Sequence, residues 1–329
     1  MKKMFAFATT SLTVVGLAAV VASTAHAQTT ITGDGQALEI APPVLNLKGD
    51  PGETIKAPLS LRDVSAGKLL VKNEINDFTA AGEDGTPKIL VEPGETSPYS
   101  IKTWISPLPE ITLKPKEVQQ LIVNITIPKN AAPGGYYGVI RFTAQAPELT
   151  ETGVALSASL GTLVLLRVNG TAKESASVEE FYVASNGNRG SLFESAPLQF
   201  FERIKNEGNV HEQPRGQITI KDMFGQKLAN LNVNLENRNV LPASIRKFEQ
   251  PLDESVIGNK ILFGYYTADL AINYGNGQES TAKLSFWVIP YKIIAAIIVG
   301  LIIVFFLFRF GLRRYNEAII DRARRSRRR

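Results

Sequence analysis

This 329-residue chain has few of the side chains that do most protein chemistry: it has no cysteine and two histidines, His26 and His211. His26 falls in an N-terminal segment treated below, so a serine or threonine nucleophile would have to recruit His211 as its base. That residue stands in "NEGNVHEQPRG", a polar turn between apolar runs, where an exposed histidine making local hydrogen bonds is expected. A histidine-based metal site has no second histidine to use. The carboxylates occur as sequence neighbours: Glu83 with Asp84, Glu179 with Glu180, and Asp253 with Glu254. Adjacent residues of an extended strand face opposite sides, so these pairs do not converge on one glycosidic bond and are expected to be solvated loop charges. Gly134, Gly135 and Gly138 lack the lysine and the strand-to-helix setting of a phosphate cradle. Asp50, Asp84 and Asp222 sit in turns without the spacing of a calcium loop. The expectation is a chain with no catalytic residue, no cofactor and no metal.

Aromatic residues offer binding chemistry instead. Tyr99 and Trp104, in the loop-like "TSPYSIKTWISP", are the candidate contacts for a saccharide or similar ligand. Gly-Tyr-Tyr occurs twice, in "PGGYYGVIRF" and "LFGYYTADLA", each time opening an alternating run. Alternation sends the two tyrosines of a pair to opposite faces, one into a core and one towards the surface. An inward tyrosine would place its hydroxyl on loop backbone.

The elements that must position these residues are strands. "LIVNITIP" puts Leu121, Val123, Ile125 and Ile127 on one face, and "GVIRFTAQA", "GTLVLLRV", "RGQITIKD", "LNVNLEN", "ADLAINY" and "AKLSFWVI" behave similarly. Turn signals such as "KGDPGET", "GEDGTPK", "KDMFGQK" and "YGNGQ" separate them, and no body segment carries a helical period. Many short strands with Gly and Pro turns predict antiparallel sandwiches. "TLKPKEVQQLIVNITIPKNAAPGGYYGVIRF" and "NVLPASIRKFEQPLDESVIGNKILFGYYTADLAI" follow one order of proline turn, strand, second turn and Gly-Tyr-Tyr strand, with Pro242 and Pro251 placed in the later turns. The fold class is therefore an all-β ectodomain of two tandem immunoglobulin-like sandwiches, 28–172 and 173–288. With no disulfide available, apolar burial alone must hold them.

Both ends speak of a membrane. Lys2 and Lys3, an apolar stretch and Ala25-His26-Ala27 have the layout of a secretory signal over 1–27. Residues 289–310 are expected to cross a bilayer: Ile293 to Phe308 carry no charge, extending to Pro290 gives close to the ~20 residues needed, and a basic tail follows over 311–329. Trp287 and Tyr291 sit where an interfacial aromatic belt lies, and Lys292 can snorkel at the edge. Arg309, Arg313 and Arg314 with the terminal arginine cluster predict a cytoplasmic tail and an extracellular body, giving a single-pass protein of the cell membrane. The net charge of +5 is not a nucleic-acid signature. Lys2 and Lys3 supply +2, Lys292 +1 and the arginine-rich tail +7, leaving the body at −5.

This layout resembles the bacterial cell-surface proteins that interact with WxL-domain proteins. The resemblance is carried by "LNLKGDPGETIKAPLSLRDVS", "ITLKPKEVQQLIVNITIPKNAAPGGYYGVIRF", "NEGNVHEQPRGQITIKDMFGQ" and "VLPASIRKF". It implies a first domain that binds peptidoglycan, a second that engages an exported partner, a transmembrane helix and a short basic tail. "LKPKEVQQLIVNITIP" is also similar to strands of pilus chaperones. The functional expectation is a non-enzymatic, membrane-anchored adaptor for cell-wall polymer or another exported protein. The alternative is a tethered, chaperone-like assembly factor that offers a sheet edge to its clients.

Overall fold

The computed structural model describes residues 37–92, 94–145, 158–258, 260–275 and 277–326. The expected signal segment 1–27 and the arginines Arg327 to Arg329 lie outside the described residues.

Alternating apolar residues need a facing layer, and the first half of the body finds it by folding on itself. One sheet contains β1 (Leu38–Ala41), β3 (Thr54–Asp63) and β7 (Val118–Thr126) in the order β1-β3-β7. The facing sheet runs β2-β9-β8-β4-β5, from β2 (Val44–Gly49), β9 (Ala158–Val168), β8 (Gly134–Gln145), β4 (Leu69–Ala80) and β5 (Pro87–Leu90). A short β6 (Ile111–Leu113) pairs with the start of β4. Leu121, Val123, Ile125 and Ile127 are buried as the alternation predicts, against Leu59, Leu61, Ile140, Phe142 and Leu166.

The second half repeats this plan. β10 (Ala176–Ser185), β11 (Asn188–Arg189), β13 (Leu198–Asn206) and β16 (Ile245–Leu252) form a sheet in the order β11-β10-β13-β16. Opposite it, β12 (Leu192–Phe193), β18 (Gln278–Val288), β17 (Gly264–Tyr274), β14 (Arg215–Asp222) and β15 (Lys227–Val233) run β12-β18-β17-β14-β15. In each sandwich the opening strand pairs antiparallel in one sheet. The chain then crosses and pairs parallel with the last strand of the other sheet, β2 on β9 and β12 on β18. These are two immunoglobulin-like sandwiches of one topology, and the Gly-Tyr-Tyr runs open the equivalent strands β8 and β17.

The tyrosines themselves are not equivalent. Tyr136 packs against the first core, its ring 4.3 Å from that of Trp104, while Tyr137 faces the outer side of its sheet. In β17 the second tyrosine, Tyr266, is the core residue, and Tyr265 lies outside against Trp287. The motif is thus one residue out of phase between the repeats, so what recurs is the strand and not the side-chain pattern. Both inward hydroxyls use loop backbone: Tyr136 donates to the Ala132 carbonyl at 3.1 Å, and the Tyr266 oxygen accepts the Phe263 N–H at 3.1 Å.

Some local expectations differ. Pro251 lies inside β16, opposite Gln199, rather than in a turn, and as β16 ends its sheet the missing N–H breaks no central ladder. The body also holds a single turn of helix, α1 (Glu254–Ile257), capped by Asp253, whose carboxylate accepts the Ser255 N–H at 3.0 Å. After Val288 only Ile289 and Pro290 precede α2 (Tyr291–Ser326). Within it, Tyr291–Asn316 contains an 18-residue stretch of mean hydropathy 2.9 and is long enough to cross a membrane. The basic stretch from residue 311 continues the same helix to Ser326.

Among the buried polar residues, one carboxyl stands in the second core. Glu202 projects from β13 between Phe200 and Ile204 and is fully buried, and burial pushes its carboxyl up to about 9. The folded chain keeps this proton where the unfolded chain, above the ordinary carboxylate range, has lost it. Its contribution is therefore complete at low pH and is lost as pH rises towards 9. Glu202→Gln should raise the thermal midpoint of the detergent-solubilised protein, and by more at pH 8 than at pH 5. A gap independent of pH would mean that the carboxyl is already ionised.

Candidate binding cleft between the sandwiches

β8 and β9 are apolar on both faces. Ile140, Phe142, Val164 and Leu166 face the sandwich core, whereas Tyr137, Val139 and Leu165 are buried on the outer side with Phe78. The outer cluster is completed by Leu241 from the second sandwich, so that domain covers what would otherwise be wet apolar surface.

Two docking contacts fix the cover. On one side, the Gly135 N–H donates to the Asn209 carbonyl at 2.7 Å, and Asn209 Nδ2 donates to the Pro133 carbonyl at 3.0 Å. Next to them the Tyr137 hydroxyl and His211 Nδ1 are 3.3 Å apart, their rings edge to face. His211 is therefore a joint residue between domains and not an exposed loop residue as expected. Burial, then the charges of Arg167 and Lys48, push its pKa down to about 4, so it is neutral at pH 7. Burial also drives the Tyr137 phenol far above its ordinary range. Arg167 pairs with the buried Glu174 across the joint, and the buried Glu212 accepts the Gly275 N–H at 3.0 Å. Burial and the neighbouring Glu174 raise Glu212 to about 7.

On the other side, the β4–β5 turn "GEDGT" reaches the second sandwich. Arg203 holds Glu83 with two parallel bonds of 2.8 and 2.5 Å and donates to Glu180 at 3.0 Å, while Arg189 pairs with the same Glu180. Arg203's bonds hold the Glu83 carboxyl below the usual range. The Lys247 N–H donates to the Glu83 carbonyl at 2.7 Å, and Arg246 donates to the Asp84 carbonyl at 3.2 Å. Glu83 and Glu180 are thus structural ion-pair partners, contrary to the expectation of solvated charges. Asp84 is spent on Thr86, Asp222 on the N–H groups of Phe224 and Gln226, and Asp50 on Asn169. No group of three metal-ligating side chains occurs among the described residues.

Between the two contacts lies a cavity of about 390 Å³. Its floor is the outer sheet face, with Val44, Phe78, Leu163 and Leu165, and its wall is the 236–246 segment with Leu241 and Arg246. The β2 strand on its rim starts at Val44, paired with Leu163. Residues 158–161 of β9 therefore pair with β8 alone among the described strands. Upstream of Pro42 the described chain belongs to the other sheet, so no described strand continues β2 alongside Leu160, which is 41% exposed. An edge of this kind, with its N–H and C=O groups open, can add an extended chain.

The sequence-predicted contacts lie elsewhere. Tyr99 packs edge to face on Tyr137 with rings 6.0 Å apart, its carbonyl accepting the Tyr137 N–H at 2.7 Å. Buried Asp77 pins its loop by accepting from the Ser97 N–H and the Ser100 hydroxyl. Trp104 packs on the opposite face of the sheet, so the two aromatics share no surface. Trp287, Tyr291 and Lys292 mark the junction with α2, where Lys292 pairs with Glu194 at 2.5 Å, and Arg309, Arg313 and Arg314 lie along the helix. Sequence reasoning missed the clamp of Arg203, Glu83 and Arg246. The usable signal was the unbroken apolar runs "VI" and "LVLL" in β8 and β9, which mark strands buried on both faces.

No family model matches the chain, and no curated protein matches it in sequence. Among solved structures it is similar to the class 5 fimbriae chaperone CfaA, at 14% identity over 76% of this chain and 99% of that one, with a TM-score of 0.38. It is also similar to the E. coli chaperone DraB, at 14% identity, 77% and 97% coverage and a TM-score of 0.32. The Pseudomonas aeruginosa CupB2 chaperone follows at 8% identity, 75% and 100% coverage and a TM-score of 0.33. The sandwich assignment rests on the strand pairings given above, not on these low scores.

Two outcomes test the joint. Gly85 has φ +83° and the Arg246 guanidinium stands where its Cβ would be, so Gly85→Val should cost about 1–2 kcal/mol in backbone terms alone and lift the turn from its partner. Faster proteolysis at 169–175 would report the loosened joint. His211→Gln should stabilise the protein relative to the parent at pH 5 by roughly 1–2 kcal/mol and much less at pH 8. The reason is that a depressed histidine pKa takes stability away as pH falls from 6.5 to 4.

Proposed function

We propose that this chain is a non-catalytic, membrane-tethered binding protein that takes an extended segment of another exported polypeptide onto its own sheet edge, acting as an assembly factor. The carrying observation is the outer edge of β9 at residues 158–161, which among the described strands pairs with β8 alone and leads to Leu163 on the cavity floor. In this reading α2 anchors the protein in the cell membrane, with the sandwiches outside and the arginine-rich end inside. The client's main chain would supply hydrogen bonds to β9. Its side chains would alternate between the core-side face at Leu160 and the outer face, where Leu163 and Leu165 floor the cavity, so affinity follows backbone geometry and selectivity follows side-chain size. This keeps the exported-partner half of what the WxL-interacting resemblance implies. Peptidoglycan has no comparable support, because Tyr99 and Trp104 are engaged in packing.

The test is a photo-crosslinking amino acid placed at Leu160 or, as control, at the exposed Glu279 of β18, in the full-length protein in its own membranes. Adducts with polypeptides carrying export signals should form from position 160 and not from 279. They should fall at least fivefold when Ser159→Lys adds an edge charge. Sedimentation of the protein with purified sacculi and no adducts from position 160 would replace this reading with the wall-polymer adaptor.

A further inference from the structure

The end of the second sandwich where α2 begins is apolar in a way its core does not need. The sheet brings four segments to that end: the close of β14 at Asp222 lies opposite Tyr266, the opening of β17 at Gly264 opposite Val288, and β12 beside Trp287. From these segments project Leu192, Met223, Phe224, Ile261, Phe263 and Trp287, all exposed. Phe224 is 81%, Ile261 91% and Phe263 60% exposed, and the three lie on two different loops. Gly264 has no Cβ, and the Met223 methyl occupies that place, so the 222–226 turn is seated on the loop that carries Phe263. Ile261 lines a cavity of about 780 Å³ together with Pro290 and Ile293, the start of the membrane helix. Two residues, Ile289 and Pro290, separate the sheet from α2, and the Ile289 N–H donates to the Phe193 carbonyl at 2.8 Å. No slack exists to hold this end away from the surface that the helix enters.

We infer that these loops form a collar that inserts into the interfacial layer of the outer leaflet, so that the second sandwich sits on the bilayer as well as being anchored through it. The occupant is lipid because the collar adjoins the start of α2, with Ile261 sharing a cavity with Pro290 and Ile293 and β12 pairing beside Trp287. Acidic and basic groups are mixed at this end, among them Asp253, Glu254, Lys260 and the Lys292–Glu194 pair, so the attraction is apolar and not electrostatic. The inference rests on α2 spanning the membrane, and its experiment separates the two.

The chain has no cysteine, so single cysteines at Phe224→Cys, Ile261→Cys, Phe263→Cys, Ile302→Cys and Glu236→Cys can each carry one environment-sensitive fluorophore in the full-length protein. Reconstitution uses phosphatidylcholine–phosphatidylglycerol vesicles, with nitroxide lipids labelled near the headgroup or deep in the chain. Labels at 224, 261 and 263 should be quenched several-fold more than the one at 236 by the shallow nitroxide, unchanged between low and high salt, with 302 quenched by the deep one. Quenching at 302 without quenching at 224, 261 and 263 overturns the collar and leaves the span intact. Absence of quenching at 302 overturns the span itself. Labels at the collar shielded from both lipid nitroxide and aqueous iodide would mean that protein covers it, which also overturns the inference.

Discussion

A sheet with two dry faces cannot stand alone, and β8 with β9 is such a sheet. Tyr137, Val139 and Leu165 on the outer side have no place in the first sandwich's own core, so the second sandwich has to dock there. The other interdomain features follow. Docking brings "GEDGT" to Arg203 and Arg246, buries His211 against Tyr137 and encloses a cavity whose floor is the remaining outer surface. Burial of that outer face thereby joins two sandwiches through one shared apolar cluster.

Much of this architecture was legible. Period-2 alternation found seven of the strands, the proline and glycine turns separated them, and the order of turns around Gly-Tyr-Tyr pointed to two domains of one kind. The phase of the tyrosines was not legible. A motif gives no information on which of two adjacent residues points inward, and the answer differs between Tyr136 and Tyr266. The clamp was illegible for another reason. Glu83 and Arg203 are 120 residues apart, and an ion pair between loops leaves no periodicity in either segment. The packing of Tyr99 and Trp104 was illegible too, because their loop is pinned by the buried Asp77, which lies 20 and 23 residues upstream of the Ser97 and Ser100 that it holds.

The joint is also where titratable groups collect. His211 is held neutral and Glu212 held partly protonated in adjoining positions, one shifted down and the other up. Between about pH 4.5 and 6.5 the two act in opposite directions on stability, because folding disfavours a proton on the histidine and favours one on the glutamate. A joint with only one of these groups would weaken steadily across that range. With both, the two contributions offset each other across that range.

The long hairpin of β17 and β18 runs from the helix junction to the domain joint, 11 residues in each strand. At about 3.3 Å per residue this is a stiff strut of roughly 35 Å. With α2 in a membrane as proposed, this strut would carry the cleft at a set height above the lipid, with Ile289 and Pro290 alone between strand and helix. A client of the proposed kind would then have to present its extended segment at that altitude, which would favour chains still emerging from the membrane over finished proteins diffusing further out.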